Sequence, residues 1–316
     1  MKTLSIVIPA YKESKNIASI YKNILEVIKK KVPDIDYEFI FVNDWSPDNT
    51  REAIQAVCFQ DPKVKWVNLS RNFGKEVALS AWLSYAKGDA VLTIDADWQH
   101  PVDKIPDFVS KWTEWYDIVY NRRPSIEWAS WMKKLSSHGF YRLFNSISEF
   151  ELESQTTDYR LLDRKVVDIF KKFGEKNRLY RWLVDWIGFD KIALEFDALP
   201  NPEWREISYS YQKLWNLALN TITSFSVWPL RFIWYFGLFI TSISWIAVLI
   251  IWYNVFFHNY FDFTNLWFLV AVNTFLVGMM MMWIGLIAVY IAQIHEEIKD
   301  RPLFIAKDLV NIKSDN

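Results

Sequence analysis

Among 316 residues there is one cysteine, Cys58, and there are four histidines. A single thiol cannot build an intramolecular disulfide framework or a multi-cysteine metal site, and it suits a reducing compartment. His100 has no cysteine and no second histidine near it in sequence, so the ligand spacing of a zinc centre is missing. Charge imbalance is scant too: 36 Lys and Arg against 37 Asp and Glu leave a net charge of -1. Proteins that meet the phosphates of a duplex carry a strong basic surplus, so nucleic acid is not expected as a partner. The apolar run Leu4–Ile8 is too short for a signal-peptide core and reads as a strand. Internal repeats, long low-complexity segments and a Walker phosphate loop are also missing.

What the chain does have is apolar length near its C-terminal end. Residues 232–257 contain no Asp, Glu, Lys or Arg, and crossing a bilayer core takes about 20 helical residues. A second charge-free stretch covers 263–294. The short connection His258–Asp262 favours a two-helix transmembrane hairpin. Arg231 precedes the first span, Lys299, Arg301, Lys307 and Lys313 follow the second, and the connection carries no Lys or Arg. That asymmetry predicts that both termini, and residues 1–200 with them, lie on the cytoplasmic side. Residues 201–231 mix apolar and polar groups and read as a juxtamembrane interfacial helical region. Residues 295–316 are expected to form a cytoplasmic tail.

Residues 1–200 read as an α/β domain. Apolar strands at Leu4–Ile8, Tyr37–Val42, Val64–Leu69 and Ala90–Ile94 alternate with helical stretches at Glu13–Lys31, Ser46–Phe59 and Lys75–Ala86. Such alternation predicts a largely parallel sheet whose ligand site lies beyond the strand C-termini. A further strand is expected at Tyr116–Tyr120 and a further helix over 126–145.

Polar groups collect at those strand ends. Asp95-Ala96-Asp97 follows an apolar strand, where turning of the chain brings two short carboxylates toward a divalent ion on a diphosphate. Gln99 and His100 come next and shape that loop. After the first strand, Pro9, Tyr11 and Glu13 offer donor contacts; after the second, Asp44 is the candidate for base recognition, with helix capping by Asp44, Ser46, Asp48 and Thr50 as the alternative. Arg71 and Lys75 suit a diphosphate, and Gly74 between them permits close backbone approach. Arg122 and Arg123 form a second phosphate candidate, with solvated surface charge as the alternative for both basic pairs. Asp158 either orients an acceptor or assists its deprotonation, and Arg160 is a candidate for its phosphate.

Taken in order, Val7-Ile8-Pro9-Ala10-Tyr11, the Asn43–Thr50 loop, Leu69–Glu76, Asp95–Pro101 and Thr157–Arg164 resemble inverting family 2 glycosyltransferases, in the branch that charges polyisoprenyl phosphates. That branch includes dolichol-phosphate mannose synthases and bacterial bactoprenol glucosyltransferases. The resemblance implies a GT-A fold, a Mg or Mn cofactor, and a nucleotide-diphosphate sugar, preferentially UDP-glucose, as donor. It implies undecaprenyl or a related polyisoprenyl phosphate as acceptor in membrane lipid, and a homo-tetrameric assembly. Asp95 and Asp97 would hold the metal, Asp97, Asp158 and Arg160 would lie at the reaction centre, and Arg122, Arg123 and Arg160 would meet the phosphates. Tryptophan stands at positions 45 and 82, where the family pattern has glycine, and Trp98 and Val102 also depart from it. Two other readings are a processive polysaccharide synthase and a non-catalytic scaffold with a degenerate GT-A domain. Against the first, Arg178-Leu179-Tyr180-Arg181-Trp182 lacks the glutamine of the synthase Q-x-x-R-W motif.

Overall fold

The computed structural model describes residues 1–123, 156–175, 180–197, 228–257 and 266–312. They belong to two compact units, one drawing on Met1–Tyr141, Phe150–Glu206 and Arg301–Asn316, the other on Arg142–Glu149 and Ile207–Asp300. The helix expected over 126–145, most of the interfacial region 201–231 and the connection 258–262 lie outside the described residues.

The first unit opens with β1 (Lys2–Ala10), α1 (Ile17–Lys31), β2 (Ile35–Asn43), α2 (Thr50–Gln60), β3 (Val64–Leu69), α3 (Lys75–Ala81) and β4 (Ala90–Thr93). It continues with α4 (Ile105–Thr113), β5 (Ile118–Arg122), β6 (Thr156–Asp163), α5 (Arg164–Phe170), α6 (Tyr180–Trp186) and β7 (Lys191–Glu195). β8 (Ala306–Val310), from the segment expected as a tail, completes an eight-stranded sheet in the order β7-β5-β6-β4-β1-β2-β3-β8. Strands β3, β2, β1 and β4 are mutually parallel. The other half is mixed: β6 runs antiparallel to β4 and to β5, β7 parallel to β5, and β8 antiparallel to β3.

Burial on both faces explains the unbroken apolar runs of the central strands. Leu4, Ile6, Ile8, Phe39, Phe41 and Leu92 point into one core, beneath α1, α2 and α4. Val7, Ile40, Val42, Val67 and Val91 point into the other, beneath α3, α5 and α6. Along α1 the buried residues Ile17, Ile20, Tyr21, Ile24 and Ile28 keep helical spacing, and each buried isoleucine contributes about 1.5–3 kcal/mol of transfer free energy. Lys29, Lys30 and Lys31 fill its last turn, where the helix dipole favours cations. The helix starts four residues later than the pattern predicts, because residues 13–16 form a turn in which Asn16 and Ile17 N–H both reach the Glu13 carbonyl.

The second unit contains two long helices, α7 (Trp228–Phe257) and α8 (Leu266–Ile298). Trp283 of α8 lies 6.3 Å from Phe232 and 5.7 Å from Phe236 of α7, measured between ring centroids. Among the described residues one stretch, Leu276–His295, is long and apolar enough to cross a membrane. Trp234, Phe239, Met281, Met282 and Ile291 are exposed, whereas a helix in a water-soluble core would bury such side chains.

Candidate active site

Three loops beyond the parallel strands bend through left-handed backbone at residues other than glycine: Lys12 (φ 62°) after β1, Trp45 (φ 55°) after β2 and Trp98 (φ 63°) after β4. Such conformations are sparsely populated by side-chain-bearing residues and gather at functional sites. The loops are tied together. Lys12 N–H donates to Ser46 Oγ at 3.1 Å and Glu13 N–H to Thr50 Oγ1 at 2.9 Å. Trp98 Nε1 donates to Asn16 Oδ1 at 3.3 Å, and Asn16 Nδ2 to Glu13 Oε2 at 2.6 Å. Tyr11 is exposed and Pro9 partly buried at this edge.

Asp44 is 5% exposed. Its carboxylate accepts Phe73 N–H at 2.8 Å and Gly74 N–H at 2.9 Å, clamping the loop between β3 and α3. Burial pushes its carboxyl above the usual range, and the two backbone donors pull part of that back. Gly74, at φ 94°, holds a conformation open essentially to glycine alone. It leads directly into α3, whose first residue is Lys75.

Lys75 joins the two halves of the sheet. Its half-exposed side chain places Nζ 2.8 Å from Asp95 Oδ2 and 2.7 Å from Asp158 Oδ2. Burial alone would lower the ammonium's pKa; Asp95 and Asp158 outweigh it and hold the group above the ordinary lysine range. Asp158 is 4% exposed and also receives Arg181 Nε at 2.6 Å and Nη2 at 3.1 Å. Burial would raise the Asp158 carboxyl, but Arg181 and Lys75 together press it well below the usual carboxylate range. The site is thus a carboxylate–ammonium–carboxylate–guanidinium series, with Arg181 still 46% exposed.

The other candidates separate. Arg160 is fully buried. Its Nε donates to the Thr157 carbonyl at 3.1 Å, and its Nη1 lies 3.4 Å from both the Arg181 carbonyl and Asp185 Oδ1. That arrangement supports α6 and the Arg181 backbone. Arg122, at the exposed end of β5, pairs with Glu195 of β7. Arg123 Nη2 instead reaches Gln99 Oε1 at 3.3 Å, beside the paired aspartates. Asp97 Oδ1 accepts Gln99 N–H at 3.1 Å. Arg71 is exposed, with its guanidinium 4.6 Å above the Phe73 ring. His100 is buried, stacked on Tyr159 at 4.9 Å, and its Nδ1 accepts Asp95 N–H at 3.1 Å. Burial lowers the imidazole's pKa, which keeps it a neutral acceptor shaping the Asp95 turn.

Comparison with known proteins matches residues 5–170 to the model for glycosyl transferase family 2. The chain belongs to that family. It is 39% identical over 309 residues to an uncharacterized glycosyltransferase of Synechocystis, covering 97% of this chain and 95% of that one. It is 37% identical over 306 residues to the SfII prophage-derived bactoprenol glucosyl transferase of Shigella flexneri, covering 96% and 97%. An uncharacterized glycosyltransferase of Bacillus subtilis is 34% identical over 313 residues, covering 98% and 95%. Both long helices fall within the span of these alignments.

A family 2 glycosyltransferase of GT-A-like α/β fold invites the question of a metal. Among the described residues there is no group of three His, Cys, Asp or Glu side chains fit to hold one. Asp95 and Asp97 do supply two hard carboxylates at the end of β4, the donor type that Mg and Mn prefer. In chemistry they suit such an ion, and two carboxylates would be part of its ligand set.

The sequence reading singled out neither Arg181 nor Glu76 as site residues. Glu76, next to Lys75, accepts Tyr180 N–H at 2.8 Å and so binds α3 to the start of α6. Burial raises the Glu76 carboxyl, with the Tyr180 N–H opposing and Asp158 adding to the rise. The local signal for Arg181 is the Arg181-Trp182 pair in the first turn of a helix. Trp82, at a glycine position of the family pattern, is fully buried with its ring centroid 6.4 Å from that of Tyr180, filling the core under this junction.

Proposed function

We propose that this glycosyltransferase moves one glucose from UDP-glucose to undecaprenyl phosphate, or a related polyisoprenyl phosphate, with inversion at the anomeric carbon. The observation that carries this reading is the Lys75 bridge, which holds the Asp95 loop and Asp158 within reach of one ammonium group. End-to-end similarity to a protein named a bactoprenol glucosyl transferase supports the choice of donor and acceptor.

Asp95 and Asp97 are assigned to a Mg or Mn ion, which supplies charge neutralisation of the departing diphosphate. Lys75 and Arg71 add positive charge on the same side, and Gly74 keeps the backbone slim where the diphosphate approaches. The nucleophile is a phosphate oxygen that is already anionic. Asp158, pressed toward its ionised form by Arg181 and Lys75, is a poor proton acceptor, so its role is to hold those two cations in place. Arg181 and Arg123 are the cations we assign to the acceptor phosphate. Arg160, being fully buried, acts by supporting Arg181.

β8 bears on the membrane arrangement. It follows α8 in the chain yet pairs with β3 in the sheet of the first unit. A chain that leaves that sheet and returns to it crosses a membrane an even number of times. This supports two spans, 232–257 and 263–294, with residues 1–200 and 295–316 on one side. The basic flanks support the cytoplasmic side of a bacterial inner membrane for both. A headgroup at the interface then meets the catalytic unit while its hydrocarbon stays in lipid.

The test is transfer of radiolabel from UDP-glucose to undecaprenyl phosphate by the full-length protein with Mg or Mn. The expected product carries one sugar per lipid and disappears with chelator. Folded protein that yields no lipid-linked product from UDP-glucose, UDP-galactose, UDP-N-acetylhexosamines or GDP-mannose overturns the reading.

A further inference from the structure

Asn43, Asn68 and Asp308 are direct register partners on the adjacent strands β2, β3 and β8. Their side chains form a hydrogen-bonded ladder across the sheet: Asn43 Nδ2 donates to Asn68 Oδ1 at 2.8 Å, and Asn68 Nδ2 to Asp308 Oδ2 at 2.8 Å. Both asparagines are buried. At the far end, Asn43 Oδ1 accepts Ser46 Oγ–H at 2.6 Å and Ser46 N–H at 3.2 Å, while Ser46 Oγ accepts Lys12 N–H at 3.1 Å. Every donor along the series points toward Asp308.

That direction follows from chemistry. An ionised carboxylate only accepts hydrogen bonds, so Asn68 must turn its amide NH2 to Asp308 and its carbonyl to Asn43. Asn43 must then offer its own NH2 to Asn68 and its carbonyl to Ser46. Ser46 is left to donate its hydroxyl proton to Asn43, which frees a lone pair for Lys12 N–H. A misoriented amide anywhere in the series would leave buried polar groups facing like groups, a costly outcome. Arg51 Nη2, 3.3 Å from Asp308 Oδ2, steadies the terminal charge. The same segment reaches the loop between β3 and α3, where Ser70 N–H donates to the Ile305 carbonyl at 2.9 Å. It is fastened beyond the strand by Asn311 Nδ2, which donates to the Cys58 and Val64 carbonyls at 3.1 and 2.8 Å.

We infer that Asp308 is a positioning residue for donor binding: through Asn68 and Asn43 it sets the orientation of Ser46 and thereby the Tyr11–Glu13 and Asp44–Thr50 loops that receive the nucleotide. The strand that follows the second long helix is a working part of the donor site. The kinetic arm of the test rests on the donor reading above; the exchange arm does not.

The test compares full-length wild type with Asp308→Val, which keeps a strand-forming side chain but offers no acceptor, and with Asp308→Asn, whose amide oxygen can still accept from Asn68. Asp308→Ala is the second variant should valine not fold. Faster amide hydrogen exchange is expected in residues 10–16 and 43–50 of the valine variant. Its KM for UDP-glucose should rise about three- to tenfold, the worth of one hydrogen bond, with kcat and acceptor KM unchanged. Asp308→Asn should restore both readouts. Unchanged exchange in those loops, an asparagine variant as impaired as valine, or parallel losses in kcat and acceptor KM would each overturn the inference. Wild type that ignores UDP-glucose defeats the donor reading instead, and loop exchange then decides the ladder.

Discussion

Asp97, beyond the parallel half of the sheet, accepts the N–H of Gln99 two residues on, whereas Asp158, in the mixed half, is buried under Lys75 and Arg181 from two other elements. One carboxylate is held from within its own turn; the other is held by tertiary structure and in return fixes the groups around it. On the proposed mechanism the contrast separates ligand binding from organisation of the site, two roles that a list of acidic residues would merge.

The largest expected effect tests the first role. Asp97→Ala should cut transfer by about 10²- to 10³-fold, the scale of losing one charge-stabilising group, and leave the melting temperature near wild type. A large drop in melting temperature would make Asp97 an organiser too and erase the contrast. Next comes Arg181→Ala, which leaves Asp158 buried with Lys75 as its remaining cation. Loss of charged hydrogen bonds predicts a fall of about 10- to 100-fold in acceptor kcat/KM together with a lower melting temperature; unaltered stability would show that Asp158 does not depend on it. Gly74→Ala tests the link between the halves. No atom lies within 4 Å of a Cβ built there, so the cost, about 1–3 kcal/mol, is conformational and should appear as weaker donor binding.

Gly88→Ala is a control away from the chemistry. A Cβ there would come within 2.6 Å of Ser5 Oγ, 2.7 Å of the Thr3 carbonyl and 2.8 Å of Ser5 N. Denaturant unfolding should report a loss of about 1–3 kcal/mol from overpacking, with kcat preserved in the folded fraction. The smallest effect is expected from pH. Asp158 is shifted down, so its contribution is complete above the unfolded aspartate value, about 3.9, and is lost only as pH falls through the lower folded value. Lys75 is shifted up, so its share is complete below about 10.4 and fades only as pH climbs through its higher folded value. In a Glu76→Gln background, the stability difference between Asp158 and Asp158→Asn should therefore stay constant from about pH 5 to 9; an inflection inside that window would mean that Asp158 is not held ionised.

Legibility in the sequence follows the same division. Strands buried on both faces, such as Leu4–Ile8 and Ala90–Thr93, announce themselves as apolar runs, and the polar loops after them are short-range patterns. The mixed half gives no such signal. β6 reads Thr-Thr-Asp-Tyr-Arg-Leu-Leu-Asp, yet its Asp158 and Arg160 are buried because other elements supply their charged partners, Lys75, Arg181 and Asp185. β7 and β8 are five residues each, with charges at both ends of β7 and at adjacent positions 307 and 308 of β8, and look like loop or tail. The pairing of Arg181 with Asp158 and the clamp of Asp44 on Phe73 and Gly74 are tertiary contacts that no local spacing encodes.

β8 also settles how the sheet meets its surroundings. An unpaired outer strand offers a row of backbone groups to any passing chain, and short, charged border strands discourage such growth. Both borders here fit that description, with Lys191 and Glu195 ending β7 and Lys307 and Asp308 on β8. Deleting residues 306–310 would strip the pairing from Trp66–Leu69, turning an inner strand into an adhesive rim.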